Sequence, residues 1–272
     1  MSGWFTIPII TQMSDMSVMM ILCVFCLGGC LGSFANAAAM RLVRKEDIIY
    51  QPSRCRTCKR PLHILENLPF IGWLRKRGMC HCGTIKLPYR YVLVELAFAG
   101  LIVIYTLTMP AMTAIGFSIA AIFIGISMLT DAEAMILHPT LLSILAIIGM
   151  IFAVIGSVFP NMGFASPISW HLTPIQALWG CAVGAVTPLS INLLYRLVRG
   201  RNGFGEGDFW MLGAIGAWVG WQGALSILVL AAASAALCGL FMILTGKASI
   251  LTRLPFGIFL GGVFILWSIF LM

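Results

Sequence analysis

A chain of 272 residues with a mean hydropathy of +1.01 and only 10% charged side chains is not a soluble globular domain, which carries roughly 25% charged residues. Intrinsic disorder is excluded too, because it needs low hydrophobicity and high charge. What remains is an all-α polytopic membrane protein, each of whose spans takes about 20 apolar residues; the net charge of +8 follows from where the basic residues fall.

In chain order the apolar runs predict eight spans, over 17–40, 91–109, 111–130, 138–158, 173–195, 209–221, 223–245 and 253–272, the sixth of them short. The first run has no positively charged region before it and continues straight into more chain, so no cleavable leader is expected. Lys and Arg accumulate in cytoplasmic loops. Eight spans place segments 41–90, 196–208 and 246–253 on one side, with twelve, three and two of the 17 basic residues, and none on the other. Both termini are therefore expected outside the cytoplasm. Segment 159–172 reads as a short external loop, and Trp4, Trp170 and Trp221 as interface anchors. The expected organisation is an N-terminal segment with the first span over 1–43, a cytoplasmic loop domain over 44–90 and a seven-helix membrane domain over 91–272.

The loop domain is too small and polar to build a good core. It holds Cys55-x2-Cys58 and, 21 residues later, Cys80-x-Cys82. The other five cysteines, Cys23, Cys26, Cys30, Cys181 and Cys238, lie in apolar runs as small hydrophobes. Four thiolates in two close pairs suit a tetrahedral structural zinc, whose filled coordination leaves no open position for catalysis. His81 or His63 could replace one thiolate, and four unligated thiols are the plain alternative.

Nine acidic residues serve the whole chain, and four of them stand at or near span ends. An ionisable group at membrane depth costs about 3 kcal/mol, so each is a functional candidate. Asp131 and Glu133 follow the third span, Asp208 opens the sixth after Gly205-Glu206-Gly207, and Glu95 lies one turn into the second. Asp131 and Asp208 are 77 residues apart, yet the topology brings both to one membrane face. Two neighbouring carboxyls share a proton, and such a pair can activate water for attack on a peptide carbonyl. The plain alternative for either aspartate is a helix cap. Gly205 and Gly207 permit positive φ and close backbone approach, giving an extended peptide clearance beside Asp208. His138 and His171 read as a turn and an interfacial residue.

These features converge. The chain resembles the type IV prepilin leader peptidases, membrane aspartyl proteases of the G-x-G-D kind used for type IV pili and type II secretion. The resemblance runs from about residue 30 to 262. It is carried by Gly32-Ser33-Phe34-x-Asn36, the two cysteine pairs, Glu66-Asn67-Leu68-Pro69, Arg90-Tyr91-x-x-Val94-Glu95 and Asp131. Gly205-Glu206-Gly207-Asp208-Phe209, Gly216-Ala217-Trp218 and Leu254-Pro255-Phe256-Gly257 complete it. It implies a bacterial inner-membrane enzyme that cuts the basic leader of prepilins or pseudopilins after a glycine, on the cytoplasmic face. Many such enzymes then methylate the new N-terminus from S-adenosylmethionine.

By the same resemblance Asp131 and Asp208 are the catalytic pair, Gly205 and Gly207 support them, and Cys55, Cys58, Cys80 and Cys82 hold zinc. Gly32, Asn36 and Glu95 would serve methyl transfer or structural support. Glu66, Glu95, Glu133 and Glu206 are candidate counter-charges for the leader. Three positions depart from the family pattern: one residue, not two, between Cys80 and Cys82, Trp210 in place of a lysine, and a late proline at Pro139. No nucleic-acid partner is expected. The competing readings are a proton- or cation-coupled carrier and a non-catalytic scaffold of a pilus or secretion machine.

Overall fold

A computed structural model of the chain describes residues 17–48, 69–76, 88–159, 172–200, 205–247 and 252–270, with Cys58, Arg60, Met79, Cys82 and Ser249 between them. Its helices are α1 (Val18–Arg44), α2 (Ile71–Lys76), α3 (Arg90–Thr108), α4 (Ala111–Ala134), α5 (Pro139–Val158), α6 (Pro174–Arg199), α7 (Glu206–Leu244) and α8 (Phe256–Phe270). Six of these are long and apolar enough to cross a membrane, and α8 is a shorter apolar helix. Seven helices cover the eight expected runs, because 209–221 and 223–245 both fall within α7. Trp221 is half exposed, while Trp4, Trp170 and most of the loop over 44–90 lie outside the described residues.

Two compact units divide between Met109 and Pro110, so α3 groups with α1. In the first unit, α1 starts at Ser17, whose hydroxyl accepts the Met20 N–H at 3.3 Å. Its buried face is made of small residues, Gly28, Gly29, Gly32, Ala35, Ala38 and Ala39, with Asn36 among them. A Cβ on Gly28 would stand 2.7 Å from the Ala99 Cα, and one on Gly32 2.9 Å from the Glu95 Cα. In hydrocarbon no hydrophobic force pulls helices together, so such close contact supplies the packing energy.

The second unit is built around α7. Sequence reading puts two spans here, and the single 39-residue helix is broken at Gly220, whose φ of 72° and ψ of 176° are not helical. The neighbours of its two arms show that the chain reverses there. Along 206–219, Gly216 meets Gly180 and Leu212 meets Gly184 of α6. Along 221–244, Gly223 meets Trp267 and Gly239 meets Leu254, so this arm runs antiparallel to α8. Gly207 and Gly257, at the starts of α7 and α8, both meet Leu137. Hence the starts of α7 and α8 and the far end of the second arm share one end of the bundle. A positive φ with extended ψ is open to glycine almost alone, which is why Gly220 can make this reversal.

Trp218, fully buried just before the reversal, fastens the core. Its indole N–H donates to the Leu145 carbonyl of α5 at 3.0 Å. Its ring lies 5.7 Å from Phe117 of α4 and 5.6 Å from Phe152 of α5, and Phe117 stacks on Phe264 of α8. One side chain thus ties α4, α5 and α7. The outward faces are apolar, with Ile147, Ile151, Leu178, Val229 and Leu237 half to two-thirds exposed. A water-facing surface would not carry them so densely, whereas lipid accepts them.

Candidate active site

Asp131 stands in the last turn of α4, three residues before the helix ends at Ala134, and is followed by the C-cap Met135 in the left-handed region (φ 53°). It is buried, at 5% exposure. Its carboxyl faces the first-turn amides of Gly257 and Ile258 at the start of α8. A Cβ on Gly257 would stand 2.9 Å from Asp131 Oδ2, so glycine is what admits the carboxyl there. That oxygen is fully buried and makes no hydrogen bond among the described residues. A helix N-terminus carries partial positive charge and favours an anion at this place.

Asp208 occupies the third position of α7 and is also buried, at 7% exposure. Its Oδ2 accepts the Gly205 N–H at 3.1 Å, half of a capping box. Asp208 is thus not the N-cap residue itself but the third-position partner that bonds the N-cap N–H. Asp131 and Asp208 stand at the same end of the bundle. Leu137 packs between the two N-termini, against Gly207 on one side and Gly257 on the other. Each aspartate is thus held at the start of a helix, α7 for Asp208 and α8 for Asp131. Two buried carboxyls brought together in this way can share one proton.

The glycines work differently from expectation. Gly205 has φ of −71°, and Gly207 is not among the residues with positive φ, so neither is needed for a left-handed backbone. The space beside Gly207 is filled by Leu137 rather than left open for a peptide. Its small size lets the loop after α4 close onto α7. Gly257 and Leu137 were given no role in the sequence, although Gly257 ends the Leu254-Pro255-Phe256-Gly257 motif. Their part becomes visible only when the starts of α7 and α8 are seen together.

In the first unit the other candidates are joined to one another. Asn36 Nδ2 donates to the Tyr91 carbonyl at 3.2 Å, Gly32 packs on Glu95, and Glu95 Oε2 accepts the Phe70 N–H at 2.9 Å. Cys58 is exposed and Cys82 half-buried, while Cys55 and Cys80 lie outside the described residues, as do Glu66, His63 and His81. Among the described residues no group of three or more His, Cys, Asp or Glu could hold a metal.

The model of the bacterial peptidase A24 N-terminal domain matches residues 26–109, and that of the type IV leader peptidase family matches residues 117–243. A prepilin leader peptidase/N-methyltransferase of Stutzerimonas stutzeri is 31% identical, over 91% of this chain and 91% of its own length. The chain belongs to the type IV leader peptidase family. Other relatives of that name are those of Pseudomonas aeruginosa, 27% identical over 96% of this chain and 95% of theirs, and of Pseudomonas putida, 30% identical over 82% and 74%. No solved structure matches. The division between Met109 and Pro110 falls between the two matched regions. Asp131 and Asp208 both lie inside the type IV leader peptidase match.

Proposed function

We propose that this chain is an aspartyl endopeptidase of the inner membrane that removes the basic leader of prepilins or pseudopilins, with Asp131 and Asp208 as its catalytic pair. The observation that carries the reading is that two buried aspartates, from α4 and α7, stand at one end of the bundle, where the starts of α7 and α8 both pack on Leu137. In the reaction, the ionised carboxyl takes a proton from water as the oxygen bonds to the peptide carbonyl carbon. The protonated carboxyl gives its proton to the carbonyl oxygen. Collapse of the tetrahedral adduct breaks the C–N bond, and a proton passes to the leaving amine. One shared proton serves both steps, so the cleavage rate passes through a maximum with pH.

The distribution of basic residues supports a cytoplasmic position for this end, with both termini outside. The relatives' names support a second activity, N-methylation of the amine released by cleavage. S-adenosylmethionine would supply an electrophilic methyl group for that amine. Gly32, Asn36 and Glu95 are engaged with their own chain, which fits structural support of the α1–α3 contact and not an open cradle for the donor. Cys55, Cys58, Cys80 and Cys82 have the donor chemistry for a zinc that braces the loop and takes no part in hydrolysis. The carrier and scaffold readings have no observation in their favour.

The test is cleavage of a co-produced prepilin by the intact protein, by Asp131→Asn and by Asp208→Asn at equal membrane levels. Both variants should lose roughly 10²–10⁴-fold in rate. Full cleavage by either would remove that aspartate from the chemistry.

A further inference from the structure

Glu95 is a membrane-level carboxylate outside the aspartate pair, and its surroundings are unusual. It is 8% exposed on the buried face of α3, beside Gly32 of α1. Its Oε2 receives the backbone N–H of Phe70, 25 residues earlier, at 2.9 Å. Phe70 is one of three described non-glycine residues with positive φ, at 61°, and the other two are helix C-caps. The left-handed region is unfavourable for a bulky residue, so something must hold it there. Two contacts do so besides Glu95. The Phe70 ring lies 5.6 Å from Phe25, and it occupies the space that a side chain on Gly29 would fill, within 2.7 Å of a Cβ built there. Directly after it, α2 begins, and Trp73 of α2 packs 5.0 Å from Tyr89 at the start of α3.

We propose that Glu95 is a positioning residue that docks residues 69–76 onto α1 and α3, by holding Phe70 in its left-handed conformation. The carboxylate satisfies a backbone donor of its own chain. Acceptor capacity, rather than negative charge, is then what position 95 supplies. Glutamine keeps an acceptor oxygen there, whereas alanine leaves the Phe70 N–H without one. This inference does not depend on the peptidase reading, because its readout is docking of the stretch.

The experiment uses the full chain in lipid nanodiscs and follows trypsin nicking at Arg75, Lys76 and Arg77, with hydrogen exchange of peptides that contain Phe70. In the wild type the Phe70 amide should exchange slowly. Glu95→Ala should raise the nicking rate about 10-fold or more, and Glu95→Gln should stay within roughly 3-fold of wild type. Gly29→Val, which displaces the ring without touching the carboxylate, should raise nicking as Glu95→Ala does. The proposal is overturned by an unprotected Phe70 amide in the wild type, a result that requires no variant to fold. It is equally overturned if Glu95→Ala is nicked at the wild-type rate, or if Glu95→Gln is nicked as fast as Glu95→Ala.

Discussion

Glu95 and Asp131 are both buried acids on apolar helices, but the chain treats them in opposite ways. Around Glu95 every neighbour named is structural: a backbone N–H received, a glycine packed against the Cα, a short helix held in place. Around Asp131 one oxygen is buried with no hydrogen bond among the described residues, and a second buried aspartate, Asp208, stands at the same end of the bundle. A satisfied buried acid stabilises its surroundings, whereas an unsatisfied one costs about 1–3 kcal/mol or more and persists only where something else uses it. Burial alone therefore does not mark the chemistry of this protein. What supports the proposed site is the buried Asp131 oxygen without a hydrogen bond among the described residues, at the end of the bundle where a second buried aspartate stands.

Asparagine and glutamine replacements break or sharpen this contrast most directly. Asp131→Asn should reduce prepilin cleavage roughly 10²–10⁴-fold, because it removes a proton-transfer group. Glu95→Gln should leave cleavage within a few-fold. Equal losses in the two, measured at matched membrane levels, would erase the distinction between the sites. The next effect concerns placement. Gly257→Ala inserts a methyl 2.9 Å from Asp131 Oδ2, and a carboxyl shifted by about 1 Å can lose on the order of 10²-fold in rate. An unchanged rate would show that the close fit of α8 against Asp131 is unimportant.

The ends of these helices were legible in the sequence to different degrees. Apolar run length located the spans, and the two-span reading of 209–245 anticipated the break that Gly220 makes in α7. Asp131 and Asp208 could be paired because an even number of crossings forces them to one face. Gly257 could not be given its role, since its partner is an oxygen 126 residues earlier and a glycine leaves no side-chain pattern. The partner of Glu95 was hidden for a related reason: it is a backbone N–H, which every residue except proline offers. Trp218 shows the same limit in the core. Its indole bonds a carbonyl 73 residues away, and hydropathy cannot tell such a tryptophan from an interface anchor.

That core contact provides a stability control for the comparison. Trp218→Phe removes the indole hydrogen bond to a carbonyl that also serves the α5 ladder, and leaves space beside Phe117 and Phe152, and should cost about 1–3 kcal/mol in unfolding or thermal inactivation. Cleavage per folded molecule should change little, since the contact lies in the core and the carboxyls at the end of the bundle. The smallest effect is expected at Thr173→Ala, which removes the capping box in which Thr173 Oγ1 accepts the Gln176 N–H at 3.3 Å. It should cost about 1 kcal/mol and leave the cleavage rate of the folded protein unchanged. A large loss of specific activity in either variant would mean that the site depends on the whole bundle.

The central claim is that Asp131 and Asp208 act as one unit. Single-turnover cleavage of a purified prepilin in nanodiscs should be compared for the wild type, Asp131→Asn, Asp208→Asn and the double variant. The account predicts that the double variant is no slower than the slower single one, because groups that share one proton fail together. Losses that multiply in the double variant would show two independent roles and contradict the pairing.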